Sequence, residues 1–469
     1  VAGKFRVERD SLGEFKVPAK AYWGINVGRA LENFPISRRK IHPKIVEAYC
    51  RIKKAAAKVN ADAGRMPKKK AAAIRKAADE VLAGKLRDQF VIDVFQAGAG
   101  TSTNMNANEV LCNRALELLG FKKADYEQLH PNDHVNMGQS TNDTFPTAMR
   151  LGIRDSLEDF YPEAERLAKS LYKIAKRYVK TVKTGRTHLQ DAVPITLGAE
   201  FKAYAAAIRA GVKHIKRTSA DLLDLGIGGS AAGTGMNTHP AYAKQMATEL
   251  AKETNQPFRK AKDLVHAMQS QAPIAGTSGA LRDFAVELGR IANDLRLLSS
   301  GPTSGLAEFK LPAVQAGSSI MPGKINPSIP EMVNMVCYHV VGNDLTVSQA
   351  VGGGQMELNV MMPIMAENVL ESIEILGSAC RQLSVRCVDG IVADPDRCRD
   401  YAYRSMGLAT ALAPSIGYLA AAGVAKRALA EGKTVEELVR AEKMLSEKEL
   451  KKVLDPKRMT APNPDLAKK

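Results

Sequence analysis

Apolar residues recur along this chain at steps of three and four. Ile45, Tyr49, Ile52, Ala56 and Val59 form one run, and Phe160, Ala164, Leu167, Leu171, Ile174 and Tyr178 a second. Leu281, Phe284, Leu288, Ile291, Leu295 and Leu298 form a third, and Met365, Val369, Ile373, Leu376, Cys380, Leu383 and Cys387 a fourth. That period puts each set on one face of a helix, and long seams of this kind suit helices packed on helices. The third run meets Gly301-Pro302 soon after it ends, as a helix followed by a breaker should. Strand-like signals are confined to short pieces such as KFRVERD near the start. The pattern predicts a mostly α protein, with an N-terminal lobe over residues 1–140, a central bundle of long helices over 141–395 and a small helical lobe over 396–469.

One stretch, LATALAPSIGYLAAAGVA (408–425), lacks charge for long enough to raise a membrane span. Pro414, Gly417 and Gly423 interrupt it, so it predicts a helix, a turn and a second helix, with no membrane partner. Hydrophobic residues at 45% and charged residues at 25%, without a low-complexity tract, place the chain among globular proteins. Six scattered cysteines without CxxC spacing, and no apolar leader before Asp10, lead to the expectation of a cytoplasmic protein with reduced thiols. The net charge of +17 raises nucleic acid as a partner. The basic clusters SRRKIHPK and RMPKKKAAAIRK are not interleaved with aromatics, and Trp23 is the one tryptophan, so the charge reads as a solvated surface that attracts small acids.

Four polar, Gly-containing stretches read as connections between the helices: GAGTSTNMNANE (98–109), HPNDHVNMGQSTNDTFPT (130–147), TGRTHLQDAVP (184–194) and GSSIMPGKIN (317–326). The last is nearly a phosphate-binding loop. It has five residues instead of four before Gly-Lys, and Ile325 where Ser or Thr would hold magnesium, so a nucleotide site is not expected. GIGGSAAGTG (226–235) misses the dinucleotide fingerprint and reads as close helix packing and a loop. No Cys/His cluster or acidic ladder suggests a metal.

So many hydroxyls and amides in four stretches suggest convergence on a polar ligand, and a small dicarboxylate fits their chemistry. Lys324 and Asn326 can hold one carboxylate by a charge-assisted bond and an amide, while Thr101, Ser140 and Thr141 suit the other. A C–H between two such sites needs a base, for which His188, Ser318 and Ser319 are candidates; Glu331 could orient and polarise His188. A serine base would require activation by Lys324 and by main-chain N–H groups around its alkoxide.

These segments, in this order and over nearly the whole chain, resemble the active-site segments of the aspartase/fumarase superfamily. The resemblance implies a three-lobed, mostly helical subunit with a central long-helix bundle, assembled as a homotetramer, with each active site drawn from three subunits and no cofactor. It implies Ser318 as the base that takes a proton from C3. Thr101, Ser140, Thr141 and Ser319 would then hold the carboxylate that becomes an enediolate, Lys324, Asn326 and Thr187 the other carboxylate, and Asn142 and His188 the leaving group. Gly100-Thr101-Ser102, Gln139 to Asp143, RALENFPIS (29–37), NPSIPEMVNMVCYHVVGND (326–344) and GQMELNVMMP (354–363) look like the aspartase branch. GTGMNTHPAY (233–242) is fumarase-like, and GRTHLQD is shared between fumarases and some aspartases. The expected reaction is reversible anti elimination of ammonia from L-aspartate to give fumarate, with interconversion of L-malate and fumarate as the alternative. A non-catalytic binding or structural member would have lost the base or the anion ligands, and both are present.

Overall fold

The computed structural model describes residues 4–463. The antiparallel strands β1 (Phe5–Asp10) and β2 (Gly13–Pro18) come first, then the helices α1 (Ile25–Asn33), α2 (Pro43–Asp62), α3 (Lys68–Leu82) and α4 (Thr101–Leu118). The long α5 (Thr141–Arg177) leads into a hairpin, β3 (Val182–Thr187) and β4 (Gln190–Thr196), and then α6 (Leu197–Thr218). Two-residue parallel strands, β5 (Asp224–Leu225) and β6 (Arg259–Lys260), flank α7 (Tyr242–Thr254), and α8 (Leu264–Gln269) and α9 (Ala272–Leu298) follow. After β7 (Phe309–Lys310) come α10 (Ser328–Gly352), α11 (Met362–Arg386) and β8 (Val392–Ala393), which pairs antiparallel with β7. The chain continues through α12 (Pro395–Arg404), α13 (Ala413–Ile416), α14 (Tyr418–Glu431), α15 (Val435–Ala441) and α16 (Glu447–Val453).

The residues divide into two compact units. One holds the chain through Tyr161 with Lys213–Ala285 and Tyr338–Gly377; the other holds Pro162–Val212, Val286–Cys337 and the chain from Ser378 on. The apolar runs read from the sequence become the buried faces of α2, α5, α9 and α11, with only Tyr178, Gly301 and Pro302 among the residues cited for them beyond the core or the helix ends. In the first unit, Pro43 opens α2 while the ring of His42 accepts the Lys44 N–H at 3.2 Å, a capped start that leaves Ile45, Tyr49 and Ile52 buried. Phe160 and Phe284 meet edge to face there, 5.3 Å apart.

Three of the polar stretches are not connections. Thr101 to Glu109 are the first turns of α4, Thr141 to Thr147 the first turns of α5, and residues 184–194 lie within the β3–β4 hairpin. Helix α4 escaped the periodic pattern because its buried positions include Asn104, Asn106, Asn108, Glu109 and Asn113 alongside its apolar residues. A helix buried almost all round can be recognised by hydrophobic period only if its interior positions are apolar. Its amides and acid are answered instead by hydrogen bonds: Glu109 accepts the main-chain N–H groups of Gly24 at 2.6 Å and Asn26 at 2.9 Å at the start of α1. Burial pushes the Glu109 carboxyl up to about 7, and those donors oppose the shift.

In the second unit, residues 408–425 form a short 3₁₀ segment, α13, a break at Gly417 (φ +85°) and part of α14. Leu408, Leu412, Val424, Val435, Leu438 and Leu450 are packed together in the core of this helical region. Beneath the β3–β4 hairpin lies an ion cluster. The fully buried Glu308 is 2.6 Å from both Lys183 and Arg186, and Lys183 also meets Glu200 at 2.9 Å. Removing one member of such a cluster leaves charge without compensation away from water. Glu308→Ala is therefore expected to destabilise the folded chain by about 3–5 kcal/mol in urea denaturation, since Arg186 keeps no carboxylate and Lys183 only Glu200.

Candidate active site

The residues with candidate chemistry form two sets, one in each unit. In the first unit, the starts of α4 and α5 lie side by side, tied by Asn104 Nδ2 donating to Thr141 Oγ1 at 2.9 Å. Gly100, at φ +81°, makes the approach possible, because a Cβ there would stand 2.0 Å from the Phe145 ring. Thr101 is exposed at the head of α4, with its hydroxyl 3.3 Å from the Gly98 carbonyl. Ser140, Thr141 and Asn142 open α5; Ser140 Oγ accepts the Asn142 N–H, so this serine also plays a local turn-forming part. Asn142 Nδ2 donates to the carbonyl of Ala231 at 2.8 Å.

Two charged residues that the sequence reading did not select hold this corner. Asp143 accepts the N–H groups of Ser140 (2.9 Å), Gly228 (2.9 Å) and Ser230 (3.0 Å), which docks the Gly-rich segment 226–235 against the start of α5. Burial raises its carboxyl to about 6 against these bonds and the positive charge of Lys53. Lys53, on α2 and buried, donates to Asn104 Oδ1 (2.7 Å), Asn136 Oδ1 (2.9 Å) and Gln139 Oε1 (3.0 Å). Burial lowers its ammonium to about 7, with the Asp143 charge pulling the other way. The one signal in the sequence was a lysine directly beside Ile52 in an apolar stripe, where a solvated lysine is the ordinary expectation.

In the second unit, Thr187 pairs with Gln190 at the end of the β3–β4 hairpin, and His188 and Leu189 make its two-residue turn, both at positive φ (+55° and +58°). That turn favours Asn-Gly, so His-Leu stores strain of roughly 1 kcal/mol or more per residue, and the turn leaves the imidazole exposed. Among the described residues, the side chains of His188 and Glu331 share no hydrogen bond, and Glu331 lies in the first turn of α10.

Residues 317–326 form a closed loop, not a strand-to-helix phosphate cradle. The Gly317 N–H donates to the Lys324 carbonyl at 2.9 Å, and Asn326 Nδ2 donates to the Gly317 carbonyl at 2.6 Å. Within it, Ser318 Oγ accepts the N–H groups of Ile320 (3.2 Å) and Met321 (2.9 Å). Two donors aimed at one hydroxyl oxygen stabilise the negative charge it carries when it loses its proton. Ser319 and Lys324 are exposed, and Lys324 and Asn326 line a cavity of about 550 Å³ together with Arg296, Ser300 and Lys310. The cations on this wall favour an anion. No group of three His, Cys, Asp or Glu side chains among the described residues is placed to hold a metal ion.

A family profile described as Lyase matches residues 13–342, and one described as Fumarase C C-terminus matches residues 408–461. The chain belongs to the aspartase/fumarase superfamily. It is a lyase. It is 45% identical to the aspartate ammonia-lyase of Bacillus subtilis over 98% of this chain and 97% of that protein. With the aspartate ammonia-lyase of Escherichia coli K12 the identity is 46%, over 96% and 95%. Among solved superfamily structures, class II fumarase from Schistosoma mansoni superposes with a TM-score of 0.94 at 36% identity, covering 98% of this chain and 99% of that one. A fumarate lyase:delta crystallin from Brucella melitensis bound to cobalt gives 0.95 at 49% identity, covering 98% and 100%.

For a superfamily member the closed loop makes a sharp demand on Gly317. A Cβ there would stand 2.3 Å from the Lys324 carbonyl, which closes the loop, and 2.8 Å from the main-chain nitrogen of Asn326. Gly317→Ala is expected to lower turnover by about 10²-fold by displacing the candidate residues Ser318, Lys324 and Asn326, with little change in the thermal midpoint because the loop carries no core residue. Steady-state kinetics beside a melting curve checks this; turnover near the parent's level contradicts it.

Proposed function

We propose that the chain is an aspartate ammonia-lyase. The reading rests on Ser318, whose oxygen already accepts two main-chain N–H groups in a loop that also carries Lys324 and Asn326. With its own proton lost, the Ser318 alkoxide takes the proton from C3 of L-aspartate, and the electron pair passes into the adjacent carboxylate as an enediolate. Thr101, Ser140, Thr141 and Ser319 donate to that carboxylate as its charge grows, while Lys324, Asn326 and Thr187 hold the other one. The pair then returns to form the C2–C3 double bond as the C2–N bond breaks. The ammonium group leaves as ammonia, and fumarate remains. Asn142 and His188 hold the departing group, with Glu331, from another copy of the chain in the proposed assembly, as the partner that orients His188.

The full-length likeness to relatives named aspartate ammonia-lyase supports the choice of substrate. The proposal includes a homotetramer in the cytoplasm, with each site drawn from three copies and no cofactor. Met335, Tyr338, Val341 and Leu345 support self-association, since they expose a line of large apolar side chains along α10.

Likeness to the fumarase from Schistosoma mansoni favours a second reading, hydration of fumarate to L-malate. An ultraviolet assay for fumarate separates the two. The proposal expects fumarate from L-aspartate and at least about 10²-fold less from L-malate, the scale of discrimination when a polar site meets the wrong hydrogen-bonding partner. L-Malate as the faster substrate would overturn it in favour of the fumarase reading.

A further inference from the structure

We infer that Lys53, which is out of reach of solvent, is a positioning residue that fixes the direction in which the Thr141 hydroxyl donates its hydrogen. The inference rests on the proposed reading, in which Thr141 binds a substrate carboxylate. It adds a residue and a mechanism that this reading does not contain.

The argument follows hydrogen-bond polarity. The Lys53 ammonium has three donors and no acceptor. Three amide groups surround it, from Asn104, Asn136 and Gln139, and each must present its oxygen. An amide side chain that turns its oxygen one way turns its nitrogen the other. Asn104 Oδ1 therefore faces Lys53 at 2.7 Å, and Asn104 Nδ2 faces Thr141 Oγ1 at 2.9 Å. Because Nδ2 can only donate, Thr141 Oγ1 must accept there. The hydroxyl hydrogen is left to point elsewhere, and among the described residues it has no protein acceptor. A threonine hydroxyl that has accepted one bond and still holds its hydrogen is a prepared donor for a carboxylate oxygen, and the accepted bond polarises it in that sense.

The same ammonium fixes the direction of two further amides. With its oxygen on Lys53, Asn136 donates Nδ2 to the Gln139 carbonyl at 3.1 Å, and Gln139 donates Nε2 to the Val135 carbonyl at 3.1 Å. Without the cation, both Asn104 and Asn136 could flip, and Thr141 could spend its hydrogen on Asn104. The cost of keeping a lysine out of water is then the cost of a fixed donor direction at the site.

A double-mutant cycle tests this. Lys53→Met keeps length and removes the donors; Thr141→Val removes the hydroxyl. Each single variant is expected to lower kcat/KM for L-aspartate by about 10-fold to 10²-fold, and the double variant by no more than Thr141→Val alone, since Lys53 acts through Thr141. Losses that multiply in the double variant overturn the inference, because a merely structural lysine would damage the site whether or not Thr141 kept its hydroxyl. Should Lys53→Met fail to fold, Asn104→Asp takes its place: it keeps an oxygen for the ammonium and lacks the N–H that Thr141 accepts, and the same non-additivity with Thr141→Val is required of it. If the parent protein turns over L-malate and not L-aspartate, the choice of substrate fails while the cycle is read unchanged on L-malate. A parent that neither converts these acids nor binds succinate in calorimetry overturns the inference together with the function.

Discussion

A charge taken out of water must be answered by partners fixed in place, and that requirement shapes the surroundings of both sets of candidate residues. Glu308 is buried between Lys183 and Arg186, so the hairpin that carries Thr187 and His188 is anchored through β3 by ionic contacts as well as packing. Asp143 gathers three main-chain N–H groups and thereby sets where α5 begins. Lys53 gathers three amide oxygens and sets which way those amides face. Each cluster is costly to bury and strongly directional once formed. Directional contacts of this kind can hold small polar side chains to the tolerance that proton transfer needs.

The long helices were legible because burial on one face leaves a period in the sequence, and Leu281 to Leu298 and Met365 to Cys387 keep it without a break. Helix α4 was not legible in the same way. Its interior holds Asn104, Asn106, Asn108 and Glu109, and a pattern of amides carries no hydrophobic period. The hairpin was hidden for a different reason: its turn uses His188 and Leu189 at positive φ, where Asn-Gly would have announced it. The segments rich in hydroxyls and amides were readable as chemistry, since side chains in such number exceed what turns require. Lys53 and Asp143 were not readable as part of it, because their roles depend on which distant segments fold against them.

Loop 317–326 shows how little regular structure is needed to aim two main-chain donors at one hydroxyl oxygen. Gly317 closes the loop onto Lys324 and Asn326, and the turn that follows aims the Ile320 and Met321 N–H groups at Ser318. A serine hydroxyl in water is a poor base; the same oxygen between two fixed donors has a stabilised conjugate base. Lys324, a carboxylate ligand in the proposed reading, adds positive potential to the loop.

The most direct test of Ser318 as the base follows the proton itself. With fumarate and ammonium in D₂O, the parent enzyme run in reverse should place one deuteron on C3 of the L-aspartate formed, as read by proton NMR. Ser318→Ala, with an unchanged melting midpoint, should incorporate deuterium at least about 10²-fold more slowly. Incorporation at the parent's rate by that variant would contradict the account and move the base elsewhere.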